Sequence, residues 1–338
     1  MIRILTCLAA ACVALASPAC AQAPDFYKGK TVRLVVGYGP GGGYDVYARL
    51  LAPAIGRALG ATIIVENQPG AGGITALNSL VVAPPDGLRI MLANGWSSGL
   101  SQLNGAPGVR FDLSKVTHLG IVSASPSVWL VPAQSSLRAI ADVRKMDRPL
   151  VWSGMSPDDG LYVGARVTCA ALKLDCKIVM GYKSSSEAAL AIARGETDSI
   201  FIGDTSANDY TRIGDTRAMA TMARVRSRFF PDLPTIFEAE KLEPEGEWLL
   251  DFEATFERLG RILILPAGMP PARLAYLRAA VARAMKNPAL IEEGEKTARY
   301  IDYVDPEATG QAMHKAIGGL TDAASTPPLR GVGTCGRS

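Results

Sequence analysis

The sequence predicts an α/β protein of two lobes with a ligand cleft between them. Three observations carry that expectation. Short β-branched or aliphatic runs alternate with stretches of helical apolar period along most of the chain. Glycine-rich turns recur where such a run gives way to a helix. The 338-residue chain is also long enough, after its N-terminal segment is set aside, for two domains of ordinary size.

That N-terminal segment reads as a secretory signal peptide over residues 1–23. Met1-Ile2-Arg3 is a short basic start, residues 4–16 are an apolar core too short to span a bilayer, and Ala21-Gln22-Ala23 is an A-x-A end, so cleavage is expected after Ala23. Cys20 admits a lipoprotein alternative, but Ser17 stands where a bulky aliphatic residue would be expected. No later stretch reaches the roughly 18 apolar residues of a membrane span. The expected product is therefore soluble and exported, in a bacterial periplasm. Its near-balanced charge, formally +3 before Arg3 is lost, implies no nucleic-acid partner.

Cys7, Cys12 and Cys20 would leave with the signal, and export then permits a disulfide between Cys169 and Cys176, with Cys335 left in a polar tail. A zinc site would need more ligands than His118 and His314 provide. No metal and no cofactor is expected.

In chain order, residues 31–36 read as a strand buried on both faces. From Tyr44 the apolar positions Val46, Leu50, Leu51, Ala54, Ile55, Ala58 and Leu59 fall at helical spacing. Between them lies Gly37-Tyr38-Gly39-Pro40-Gly41-Gly42-Gly43, a turn with few side chains before a helix N-terminus, which suits an anion. Gly37, Gly39 and Gly42 also satisfy G-x-G-x-x-G, with Glu66 further on as a candidate ribose clamp. Pro40 removes a donor from that loop, Glu66 runs into a second glycine turn at Pro69-Gly70-Ala71-Gly72-Gly73, and the chain is exported. A dinucleotide site is therefore the weaker reading, beside a purely structural turn.

Residues 62–65 and 88–93 read as the next strands, so a parallel sheet brings the glycine loop, the Pro69-Gly70-Ala71 turn and Trp96-Ser97 to one edge. After a hinge near residue 124 the α/β rhythm repeats. The strand-end loops there contain Met155-Ser156-Pro157-Asp158-Asp159, Lys183-Ser184 and Asp204. Ser184 or Ser185 with Glu187 could equally be a local helix cap. The acidic segment 238–257 reads as a solvated face, and 261–266 as the strand that returns the chain. The expected division is residues 24–124 with 266–338 in domain 1, and 125–265 in domain 2.

Several stretches carry a family resemblance that spans nearly the whole mature chain. Val32-Arg33-Leu34-Val35-Val36 with Pro40-Gly41-Gly42-Gly43-Tyr44-Asp45, Val65-Glu66-Asn67 with Pro69-Gly70-Ala71-Gly72-Gly73, and Ala83-Pro84-Pro85-Asp86-Gly87 resemble the substrate-binding receptors of tripartite tricarboxylate transporters, the Bug proteins. Phe230-Pro231-Asp232-Leu233-Pro234-Thr235 and Leu265-Pro266-Ala267-Gly268-Met269-Pro270 extend the match. The resemblance implies a periplasmic-binding-protein type II fold that closes on a small carboxylate and presents it to a membrane permease. It also implies that the loops 38–45 and 154–159 hold the carboxylate. The sequence departs from the usual pattern in two places: Tyr44 replaces a threonine and favours a flat or aromatic ligand, while Asp158 and Asp159 would repel a dicarboxylate or meet a cationic end, with Lys183 as a compensating charge.

The functional expectation is a monomeric receptor without catalysis, because no nucleophile elbow, metal spacing or P-loop is present. The alternatives are a sensor or partner-docking protein, and an exported enzyme built on Ser156, Asp204 and Lys183.

Overall fold

The computed structural model describes residues 22–323, apart from Asp158; the expected signal peptide up to Ala21, and Cys335 with its tail, lie outside the described residues. Helix α1 (Gln22–Tyr27) leads into β1 (Thr31–Val36), α2 (Gly43–Leu59), β2 (Thr62–Asn67), α3 (Ile74–Val81), β3 (Arg89–Asn94), α4 (Gly95–Leu103) and β4 (Thr117–Ser123). The chain then crosses to a second lobe. That lobe begins with β5 (Ser127–Pro132), α5 (Ile140–Val143), β6 (Leu150–Ser153), α6 (Gly160–Leu172), β7 (Cys176–Val179) and α7 (Ser185–Ala193). It continues through β8 (Ile200–Gly203), α8 (Asp204–Ile213), β9 (Thr216–Thr221), α9 (Ile236–Ala239) and α10 (Pro244–Glu257). The return strand β10 (Arg261–Leu265) is followed by α11 (Pro271–Met285), α12 (Pro288–Lys296) and α13 (Pro306–Ala323).

The first sheet has the order β2-β1-β3-β10-β4, with β1 parallel to β2 and β3, and β10 antiparallel to β3 and β4. In the second lobe β5 lies antiparallel between β8 and β9, β6 pairs with β7, and a parallel bridge between Trp152 and Ser199 links the two groups. Each lobe thus takes in one antiparallel strand, and in each it is the strand made just after the chain has crossed over. This two-lobed arrangement is the type II periplasmic-binding-protein fold.

The location of β10 corrects the expected domain limits, because residues 261–265 belong to the first sheet. Its five residues are all buried, with Ile262 and Ile264 in one apolar cluster and Leu263 and Leu265 in another. Only an interior strand covers both faces of such a run.

The acidic segment also differs from its expected solvated face. Leu249, Leu250, Glu253 and Phe256 of α10 are buried, and the helix packs closely on α6, where a side chain on Gly246 would collide with the Ala171 carbonyl. Phe256 stacks on Trp96 of the first lobe with centroids 4.8 Å apart, and Phe252 lies 4.7 Å from Phe256. The spacing of Leu249, Phe252 and Phe256 is the helical apolar face that charge counting obscured.

Cys169 and Cys176 form a disulfide that ties the end of α6 to β7. Closing so short a loop restricts the unfolded chain by roughly 2–3 kcal/mol. Reduction, or a Cys169→Ala/Cys176→Ala double variant, is expected to lower urea-unfolding stability by about that amount; equal midpoints with and without reductant would contradict this.

Candidate functional site

The glycine loop is shaped by Asp45 from within. Its carboxylate accepts the Gly41 amide at 2.9 Å, the Asn67 amide group at 2.9 Å and Arg49 at 2.9–3.0 Å. Asn67 also donates to the Tyr38 carbonyl at 3.0 Å. Burial alone would raise the pKa of Asp45, but the hydrogen bonds from Arg49, Gly41 and Asn67 outweigh it and hold the carboxyl below its ordinary value. Gly41 adopts φ +78°, a left-handed conformation suited to glycine, as the turn requires.

The loop reaches across to the second lobe. The Gly39 amide donates to the Lys183 carbonyl at 2.9 Å and the Gly43 amide to Ser185 Oγ at 3.3 Å. In the second glycine turn, Gly72 lies so near Ser156 Oγ that a Cβ there would strike it. The lobes therefore meet in a closed arrangement.

Between them lies a cavity of about 110 Å³, room for a small organic molecule. Tyr38, Gly42, Gly43, Tyr44, Trp96 and Met155 line it, all residues that the sequence singles out. The remaining candidates stand elsewhere. Gly39, Gly41 and Asp45 shape the loop, and Pro40 is exposed. Pro69, Gly70 and Ala71 form the second turn, entered with φ +153° at Gly70 and +47° at Ala71. Ser97 is buried just behind Trp96, its amide held by Asn94 at 3.1 Å. Ser184 caps α7 by accepting the Glu187 amide at 3.2 Å. Lys183 contributes its carbonyl while the residue itself is exposed. Asp204 is buried and accepts hydrogen bonds from Ser227 at 2.8 Å and Tyr300 at 3.1 Å. Asp158 lies outside the described residues. Asp159 turns away from the ligand space onto four backbone amides, those of Met155, Ser156, Leu161 and Tyr162. Glu66, the candidate ribose clamp, instead pairs with Arg33 at 2.8 Å and Arg89 at 3.6 Å.

Further wall residues are Asn94, Ser125, Ser127, Gly160, Leu161, Ser185, Phe201, Ile202, Gly203, Ser206, Glu253, Glu257, Gly260 and Arg261. Arg261, the first residue of β10, is 7% exposed, and among the described residues no carboxylate lies within salt-bridge distance of it. Its guanidinium sits 4.2 Å from the Tyr47 ring centroid and 5.2 Å from that of Tyr44 and reaches the hydroxyls of Ser123 and Ser125 at 3.5 and 3.4 Å.

A model of the tripartite tricarboxylate transporter family receptor matches residues 47–313. This chain belongs to that family. Among its relatives, a UPF0065 protein in the gbd 5′ region of Cupriavidus necator is 31% identical over 245 residues, 68% of this chain and 71% of that protein. Protein BugT of Bordetella pertussis is 25% identical over 83% of this chain and 84% of its own. The fold is shared with MatC from Rhodopseudomonas palustris, solved with bound malate, at a TM-score of 0.74 and 22% identity over 88% of this chain and 99% of that one. It is shared also with the periplasmic binding protein BugD, at 0.76 and 21% over 88% and 97%.

The receptor's α10 supplies the most unexpected part of the wall. Glu253 is 1% exposed, with neither carboxyl oxygen hydrogen-bonded among the described residues, and one turn later Glu257 accepts from the amide and hydroxyl of Ser127. Burial pushes Glu257 up to about 8, against the pull of the Ser127 hydrogen bonds. Burial likewise raises Glu253, and the neighbouring Glu257 adds to it. Neither residue carried a motif; a glutamate pair at helical spacing among Phe252 and Phe256 was the one available sign.

The folded receptor therefore keeps a proton on Glu257 that the unfolded chain has lost above its ordinary value of 4.5. The resulting stability is fully present below that pH and disappears as pH rises to and through about 8. Urea unfolding from pH 5 to 8.5 is expected to show a wild-type decline that Glu257→Gln flattens; a constant difference between the two proteins would contradict the assignment.

Proposed function

We propose that this receptor captures a small solute bearing a carboxylate in the cavity between its lobes and presents it, chemically unchanged, to the permease subunits of a tripartite transporter. Arg261 supports this reading most directly. A guanidinium withdrawn from water loses hydration that ring faces and two serine hydroxyls replace only in part. A ligand carboxylate completes the set through charge-assisted hydrogen bonds, for which the planar guanidinium fork is suited. The helix N-termini of α2 and α8 stand beside it: a Cβ built on Gly43 or Gly203 would lie 3.5 or 3.9 Å from its Nη2, and such ends favour an anion. The malate held by MatC is a ligand of this chemical type.

Closure follows from the same contacts. A solute held by the Gly42-Gly43 wall and by Arg261 gains Ser185, Ser206 and Phe201 only when the lobes meet, so it favours the closed form by the worth of those added contacts. The receptor acts as a periplasmic monomer on this reading, and its cleft performs no catalysis. Among the described residues no helix is long and apolar enough to cross a membrane.

Arg261→Met keeps the apolar stem and removes the charge. It is expected to weaken binding of a carboxylate identified by thermal shift at least tenfold, in line with the roughly 1.5–3 kcal/mol of a hydrogen bond to a charged group. Calorimetry checks this, with product analysis expected to return the acid unaltered; undiminished affinity, or turnover, would overturn the proposal.

A further inference from the structure

We infer that the solute carries a protonated nitrogen as well as a carboxylate, and that Glu253 and Glu257 receive that nitrogen. The inference rests on the carboxylate reading above and adds the other end of the ligand. Glu253 and Glu257 stand four residues apart on α10, which places both carboxyls on one helix face, and both line the cavity. Among the described residues, the two oxygens of Glu253 are buried without a hydrogen-bond partner. Nε1 of Trp96, a residue of the same wall that is 4% exposed, faces Glu253 as a donor, short of a full hydrogen bond. Buried polar atoms are ordinarily satisfied, and a set left open on a cavity wall is a set for a ligand to complete.

Charge balance selects the kind of ligand. Two buried acids, Glu253 and Glu257, line the cavity beside the guanidinium of Arg261, and Asp204, bonded to Ser227 and Tyr300, lies near enough to act on Glu257. The groups that act on Glu257 are Ser127, Asp204 and Arg261, while Glu253 faces Glu257 and Trp96. A dicarboxylate would meet Arg261 with one end but bring no cation to the two glutamates, which burial keeps protonated. A ligand with one carboxylate and one ammonium brings an anion for Arg261 and a cation for α10. Glu257 also ends α10, whose carbonyl terminus carries partial negative charge of its own. Tyr38, Tyr44, Trp96 and Phe201 supply aromatic surface around the same space, a setting that attracts ammonium groups through ring faces.

The arrival of an ammonium beside the two carboxyls favours their ionised form, so binding releases protons. A dicarboxylate has the opposite tendency and takes protons up.

The test is calorimetry on the full mature protein with pairs matched in methylene count: glycine with malonate, β-alanine with succinate, 4-aminobutyrate with glutarate. At least one zwitterion is expected to bind roughly tenfold or more tightly than its dicarboxylate. At pH 7.5 its binding enthalpy should vary with buffer ionisation heat in the direction of proton release. Glu253→Gln, checked for folding by thermal denaturation, should weaken the zwitterion roughly tenfold and narrow the ratio within the pair; Glu257→Gln serves if the first variant does not fold. A dicarboxylate that binds as well as its partner, or binding with proton uptake, overturns the inference and leaves the carboxylate receptor standing. Failure of every compound in both series to bind at about 10 mM overturns both.

Discussion

A buried guanidinium with no carboxylate within salt-bridge distance, among the described residues, is the constraint on which this cleft depends. Arg261 can occupy that position only because β10 returns to the interior of the first sheet, between β3 and β4, and begins at the cavity. The same return brings Ser123, at the end of β4, and Ser125, in the crossing to β5, within reach of its charge. Tyr44 and Tyr47 of α2 cover the guanidinium, so the helix that follows the glycine loop also fixes the cation. Sheet order, crossing point and loop geometry thus converge on one side chain.

Two carboxylates that look ready for ligand chemistry are spent on architecture instead. Asp45 ties Gly41, Arg49 and Asn67 into one network, which gives a glycine-rich segment a single shape at little cost in side-chain bulk. Asp159 does the same in the second lobe, gathering four amides ahead of and inside the first turn of α6. Both are local hydrogen-bonding solutions at a helix start. On the proposed reading, they leave the recognition of charge to the cavity residues Arg261, Glu253 and Glu257.

The alternation of buried strands and amphipathic helices made the fold legible, because each β-α unit announces itself within about 30 residues. The loops were legible for the same reason: Tyr38, Gly42, Gly43 and Tyr44 sit where a strand must turn into a helix, and they do line the cavity. Long-range placement was not. Arg261 begins an apolar strand whose sheet partners are decided by the second crossing, and nothing local distinguishes a middle strand of one lobe from an edge of the other. Likewise Glu253 and Glu257 belong to an acidic run whose charge suggested solvent, whereas Trp96, distant in sequence, offers α10 an aromatic seat through Phe252 and Phe256. Lys183 erred the other way, a cation near the cleft in sequence whose carbonyl, not its charge, makes the contact.

The most direct measurement is native mass spectrometry of the mature protein purified gently from its own compartment, with the released ligand identified after denaturation. The account predicts one small carboxylate-bearing adduct, recovered unchanged from the wild type and missing from Arg261→Met. An adduct without a carboxylate, or one that Arg261→Met retains in full, would contradict it.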